Sequence, residues 1–258
     1  MFEWFKRLRR VVKQLSVAPR TEEKVARNTK AINLAPYTPE PKAFLGQLAY
    51  LHLANFEILT ASLKYSPNTA FKAELSEAAA RSFDKYRQLS KKLTELGANP
   101  AEQMNPFKER IAVFHSTTTG LDWYEVIVKV YLTSGLLDDF YFRLAAGLSD
   151  ELQAEVEKAL RDKTFEKFAK KVLVEAVTAD SVLGSRLALW GRRLMGDVLL
   201  ELRAAFDNRK LAHVPKTKVL TVEEEDAVNL AAYAKLEPLI SELTGAHSAR
   251  METIGLTA

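Results

Sequence analysis

The chain contains no cysteine among its 258 residues. Disulfides, thiolate metal sites and cysteine nucleophiles are therefore excluded. Ten glycines and nine prolines are few for this length, too little turn material for an all-β fold built of short strands. No apolar run approaches the roughly 18 residues of a membrane-spanning helix. Charges also interrupt every apolar stretch near the N-terminus, unlike a secretory leader, so the expected compartment is the cytoplasm. Among catalytic motifs, the sequence lacks a glycine-rich phosphate loop and an HExxH zinc helix, and it lacks a G-x-S-x-G nucleophile elbow.

What remains is a composition 47% hydrophobic and 27% charged, that of a globular protein long enough to bury a sizeable core. The net charge is +4, and it is unevenly placed. Residues 1–20 carry Lys6, Arg7, Arg9, Arg10, Lys13 and Arg20 against a single acid, Glu3. Phe5, Leu8, Val12 and Leu15 recur there at helical spacing, with Phe2 and Trp4 beside them, so this stretch reads as a basic amphipathic helix. Three roles are open to it. It can neutralise tRNA phosphates, lie on an anionic membrane surface as a peripheral anchor, or dock its apolar face on the protein. Residues 21–42 contain Pro36, Pro39 and Pro41 and read as a linker. Residues 43–258 form the helical domain. Homo-oligomerisation is also open.

Four long segments in that domain carry apolar stripes with helical period. The first runs from about Ala43 to Tyr65, with Leu45, Ala49, His52, Phe56 and Leu59 on one face. The second runs from Phe71 to Leu96, with Leu75, Ala78, Ser82, Tyr86, Leu89 and Leu93, and Gly97 ends it. After a short helix near residues 100–113 and a Ser116–Gly120 loop, the third spans Asp122 to Ala146. Its stripe reads Val128, Tyr131, Gly135, Asp139, Phe142 and Ala146. The fourth starts at Ser149 and breaks near Lys163 before continuing to Val177. Asp180-Ser181 opens a fifth helix, and Thr221 with Glu224 offers a capping box for a last one. The pattern predicts an all-α fold, a four-helix bundle with additional C-terminal helices and the N-terminal amphipathic helix. Each core stripe has a polar residue near its middle: His52, then Ser82 with Lys85, then Asp139, then Asp162.

Three segments carry a family likeness: Leu48 to Phe56 with the helix after it, Gly135 to Tyr141, and RLALWGRRL at 186–194 with Ala246 to Met251. Over roughly residues 40–258 the chain resembles the actinobacterial ferritin-like proteins related to MiaE, the tRNA hydroxylase that acts on methylthio-isopentenyladenosine. The resemblance implies a ferritin-like bundle in which two irons activate dioxygen. It implies ligands of Glu on one helix, Glu-x-x-His on the next, an acid on the third and an acid-x-x-His on the fourth. Those positions fall at His52, at Ser82 and Lys85, at Asp139 (with Asp138 adjacent), and at Asp162 and Phe165. Glu57 is near the first but on another face.

Only Asp139 and Asp162 thus keep the implied metal-binding chemistry, His52 offers a different ligand in place of Glu, and Ser82, Lys85 and Phe165 depart from it. Serine is a poor iron ligand, phenylalanine is none, and an ammonium repels a divalent cation. Lys85 either reaches across to Asp139 or Asp162 as a buried ion pair or extends to solvent along the bundle edge. His52 alone on an apolar stripe also reads as an ordinary core histidine. The expectation is a degenerate di-iron site without a cofactor, in a binding or scaffolding protein. The alternative is an active di-iron monooxygenase that hydroxylates a modified tRNA adenosine.

Overall fold

The computed structural model describes residues 33–257 apart from Ala205, Asp207 and Lys216. They belong to one compact unit, Ala31–Ala258. The basic helix expected at residues 1–20, with Lys6, Arg7, Arg9, Arg10 and Lys13, lies outside the described residues, as does most of the expected linker.

Every described regular element is helical. The long helices begin with α1 (Pro41–Ser62) and α2 (Thr69–Glu95). Two short ones follow, α3 (Pro100–Met104) and α4 (Lys108–Thr117), then α5 (Trp123–Leu144), α6 (Asp150–Leu160) and α7 (Thr164–Ala179). The chain closes with α8 (Ser181–Ala204), α9 (Asn208–Leu211) and α10 (Val222–Thr253).

Local signals explain most boundaries. Proline is tolerated in the first helical turn, so α1 begins at Pro41 and not at Ala43, and the Glu40 side chain accepts from the Lys42 and Ala43 amides. Leu34 is 2% exposed, so the end of the expected linker is already part of the core. Asn68 caps α2 through a 2.8 Å bond from the Phe71 amide. At the other end Gly97 adopts φ 69°, which a side chain would resist. The Ala98 amide then reaches the Leu93 carbonyl and the Gly97 amide reaches that of Thr94, so two orphan carbonyls are satisfied. The Thr221–Glu224 capping box forms as expected. Ser116 and Thr117, read from sequence as loop, close the last turn of α4.

Helices α1, α2, α7 and α5 pack pairwise around a common centre, and α8 and α10 pack against α5 from outside. Helix α5 is consequently buried on nearly all sides, with Ile127, Val128, Val130, Tyr131, Leu132 and Phe140 each at most 3% exposed. Its stripe departs from the sequence reading beyond Gly135. Phe142 is 44% exposed, and Asp139 points to an edge of the bundle. The stripe as read takes two successive four-residue steps, 131 to 135 to 139, which rotate about 80° off the starting face at 100° per residue. Alternating steps of four and three lead to Asp138 instead.

The core is divided in two. One apolar cluster holds Phe44, Leu48, Leu89, Leu93, Leu136 and Phe140. The other holds Leu59, Leu75, Ile127, Tyr131, Phe168 and Val172. On α1, on α2 and at the α6–α7 break the switch from one cluster to the other falls at the polar residues singled out from the sequence, and on α5 it falls between Leu132 and Leu136, ahead of Asp139, so a polar layer crosses the bundle at mid-height.

Candidate functional site

The polar layer encloses a cavity of about 50 Å³. Helix α1 contributes His52 and Asn55, α2 contributes Ser82 and Lys85, and α5 contributes Tyr131, Ser134, Gly135 and Asp138. The α6–α7 break contributes Asp162 and Lys163, α7 adds Phe165 and Glu166, and Arg250 reaches in from α10.

The cations and acids are anchored in different ways. Lys85 Nζ donates to the main-chain carbonyl of Asp162 at 3.2 Å, not to a carboxylate, so neither the expected ion pair nor an extension to solvent describes it. The Asp162 carboxylate serves α7: Oδ1 accepts from the Thr164 amide and Oδ2 from the Thr164 hydroxyl, each at 3.2 Å. Its position in a helix break, not on a continuous helix, lets it close a local turn onto Thr164. An Asp162→Ala variant will lose about 1 kcal/mol of stability through the lost hydrogen bonds to Thr164, read from thermal midpoints. Phe165 turns into the apolar cluster and packs on Phe168, ring centroids 6.3 Å apart. Glu166 is held by Lys170 at 2.6 Å and Lys163 at 3.5 Å. Partial burial raises its pKa, but these two lysines bring it below the ordinary value. Glu57 is exposed on the far side of α1.

Asp139 does not line the cavity. Its Oδ2 accepts from Arg250 Nη2 at 2.5 Å. Asp138 takes the inward place, and loss of water raises its pKa to about 6, with Asp139 adding to the rise and Lys85, Lys163 and Arg250 opposing it. His52 is 5% exposed, and its Nε2 has no partner among the described residues. Burial, reinforced by the Lys85 charge, depresses its pKa to about 3, so the imidazole is neutral at ordinary pH.

Arg250 was missed from sequence because nothing in the Ala246–Met251 stretch marks it as inward. The signal lay on the facing helix. A Cβ at Gly135 would sit 2.9 Å from Arg250 Cδ, so glycine leaves the room in which the guanidinium crosses α5, and a larger residue would displace it. Tyr131 OH donates to the Arg250 carbonyl at 3.4 Å. Arg250 Nη1 is buried and has no hydrogen-bond partner among the described residues.

The RLALWGRRL segment serves structure, not the cavity. Arg186 binds Glu125 at 2.8 Å and the Asp122 carboxylate. Trp190 Nε1 donates to the Glu125 carbonyl at 3.2 Å. Arg192 donates to the Thr257 carbonyl at 2.7 Å, and Arg193 lies over the Trp190 ring. His247, without a visible partner in the sequence, has Nε2 3.0 Å from the Gly191 carbonyl.

Fold and site together define an all-helical protein whose core bundle carries a charged, partly enclosed pocket at its centre. The sequence matches the family described as a ferritin-like domain of actinomycetes over residues 37–214. That span is well over half the chain, and the protein belongs to this family. No curated protein matches it. Among the described residues, no group of three or more His, Asp or Glu side chains is placed to hold a metal ion, and no helix is long and apolar enough to cross a membrane.

Proposed function

We propose that this ferritin-like protein is a relative of the MiaE-type tRNA hydroxylases in which a lysine-centred polar layer has replaced the metal pair. On this reading it is a binding or scaffolding protein. The observation that carries it is Lys85, whose ammonium lies in the bundle-centre cavity and is tethered to the Asp162 carbonyl. Two divalent or trivalent irons need several free carboxylates. Here Asp162 is committed to Thr164, Glu166 to two lysines and Asp139 to Arg250. The remaining donors, His52 and Asp138, face an ammonium and a guanidinium, so the donor set does not fit a pair of irons. The basic segment at residues 1–20 would supply contact with tRNA or an anionic membrane.

Elemental analysis of protein produced in iron-supplemented medium tests this. Iron far below one per chain is the expected result, and a stoichiometric pair overturns it. The second reading, a di-iron monooxygenase acting on a modified tRNA adenosine, draws on the fact that His52, Asp138, Asp162 and Glu166 do line one cavity. Iron-dependent dioxygen consumption in the presence of such a tRNA would favour it.

A further inference from the structure

We infer that the bundle-centre cavity binds a small, net-neutral polar molecule of the amide or urea class, one that offers an oxygen acceptor and N–H donors together. The inference rests on the reading that no metal occupies this layer, and it names what the layer holds instead.

The first argument is charge balance. Three cations, Lys85, Lys163 and Arg250, line the cavity with three acids, Asp138, Asp162 and Glu166. A ligand of either single charge would meet like charges inside a poorly hydrated space, and that repulsion and desolvation cost affinity. A neutral ligand avoids both.

The second argument is the unmet hydrogen-bonding capacity. His52 is 5% exposed, and its Nε2 lacks a partner among the described residues. Arg250 Nη1 is buried and also lacks one among them. Lys85 spends one of its three N–H groups on Asp162. The Ser134 hydroxyl accepts from Asn55 Nδ2 at 3.1 Å, which leaves its own hydrogen to give. Facing these donors, the Asp138 carboxylate accepts no hydrogen bond from the described residues. Buried polar groups are ordinarily satisfied, and orphans in a cavity point to a missing partner. A carbonyl oxygen would satisfy Lys85, Arg250 or Ser134, while N–H groups on the same molecule would donate to Asp138 and to His52.

The third argument is size. Each bound water needs about 10–15 Å³ of such space, so a cavity of about 50 Å³ takes a molecule of a few non-hydrogen atoms. Access lies at the α6–α7 break, where the Lys163 side chain is 45% exposed.

Acetamide, acetate and acetamidinium share one planar shape and differ in charge, so they separate the alternatives. Each is titrated into the isotope-labelled full chain at constant ionic strength and neutral pH. The His52 ring and the Asn55 side-chain amide report binding by NMR. Saturable millimolar binding of acetamide, at least about tenfold tighter than either ion, is expected. An ion that binds as tightly as acetamide overturns the inference, and so does the absence of saturable binding by all three, which would mean that water alone fills the space. Lys85→Met should abolish the acetamide response. Ser134→Ala, a change too small to threaten folding, should weaken it severalfold while the lost Asn55 bond lowers the melting temperature by only about 2–4 °C, and an unaltered response in Ser134→Ala counts against the assignment. Iron content of the same sample separates the two readings. A stoichiometric metal pair overturns the proposed loss of the site, whereas an iron-free sample that does not prefer acetamide overturns only the ligand inference.

Discussion

Replacing His52 with glutamine will make the fold less sensitive to acid, by about 5 kcal/mol over the full titration. The folded imidazole has its pKa depressed to about 3 from 6.5, through burial first and the Lys85 charge second. Above pH 6.5 the ring is neutral in both states and contributes no pH dependence. As the pH falls below that value the unfolded chain takes up a proton that the folded chain refuses. Stability then declines by about 1.4 kcal/mol per pH unit until the folded pKa is reached. Glutamine cannot titrate, so the variant escapes this loss. Asp138 works in the opposite sense. Burial, its largest cause, raises its carboxyl to about 6 from 3.8. Its stabilising contribution is complete below pH 3.8 and is lost as the pH rises through about 6. Between about pH 6 and 4 the two residues offset each other, one proton refused and one retained. Asp138→Asn should therefore expose the full acid sensitivity of His52, and the two variants should tilt in opposite directions relative to the unmodified protein. His115, depressed to about 4 mainly by burial and also by Lys129, adds an acid loss common to all three. Thermal unfolding midpoints from pH 8 to about pH 3.5 give the comparison. Parallel profiles for the unmodified protein and the His52 variant would show that the imidazole is hydrated in the folded state.

The sequence carried the positions of this polar layer better than its chemistry. Leu75, Ala78, Leu89 and Leu93 on α2 were readable because that helix packs one stripe against its neighbours, which imposes a 3.6-residue period, and Leu45, Ala49, His52 and Leu59 on α1 are buried on the face read although the whole run from Phe44 to Ala49 is buried too. Helix α5 was harder. It is covered on almost every side, so its apolar residues mark no single face, and a slip of one residue exchanged Asp138 for Asp139 without any contradiction in the pattern. The fourth core helix was harder again, since Asp162 sits in a break whose hydrogen bonds to Thr164 follow no helical spacing. Arg250 lay beyond reach for a different reason. Its inward position depends on Gly135, 115 residues earlier in the chain, and long-range complementarity of that kind leaves no local trace. The RLALWGRRL segment was noticed as a family mark, and its role proves to be anchoring α8 to the start of α5.

That anchor gives the second large effect: Arg186→Met will destabilise the protein by about 3–5 kcal/mol, the usual result of stripping the partner from a buried charge. The Glu125 side chain is 4% exposed. Its Oε2 accepts from the Leu121 amide at 2.7 Å and its Oε1 from Arg186 Nη1 at 2.8 Å. Arg186 also binds the Asp122 carboxylate, and Asp122 caps α5 through the Glu125 amide at 3.0 Å. Methionine preserves the bulk of the arginine stem but leaves the Glu125 carboxylate with a single backbone donor in an apolar surrounding. Removing the acid is less harmful, because Arg186 is 40% exposed and keeps Asp122 and water as partners. Glu125→Ala should therefore cost about 2–3 kcal/mol, chiefly the lost hydrogen bond to Leu121 and the packing of the stem. The double variant Arg186→Met/Glu125→Ala should be more stable than Arg186→Met alone, since the orphaned charge is gone. Chemical denaturation of the four proteins closes this cycle. A loss below about 1 kcal/mol for Arg186→Met would mean that solvent reaches Glu125 and that the segment holds α8 by packing alone.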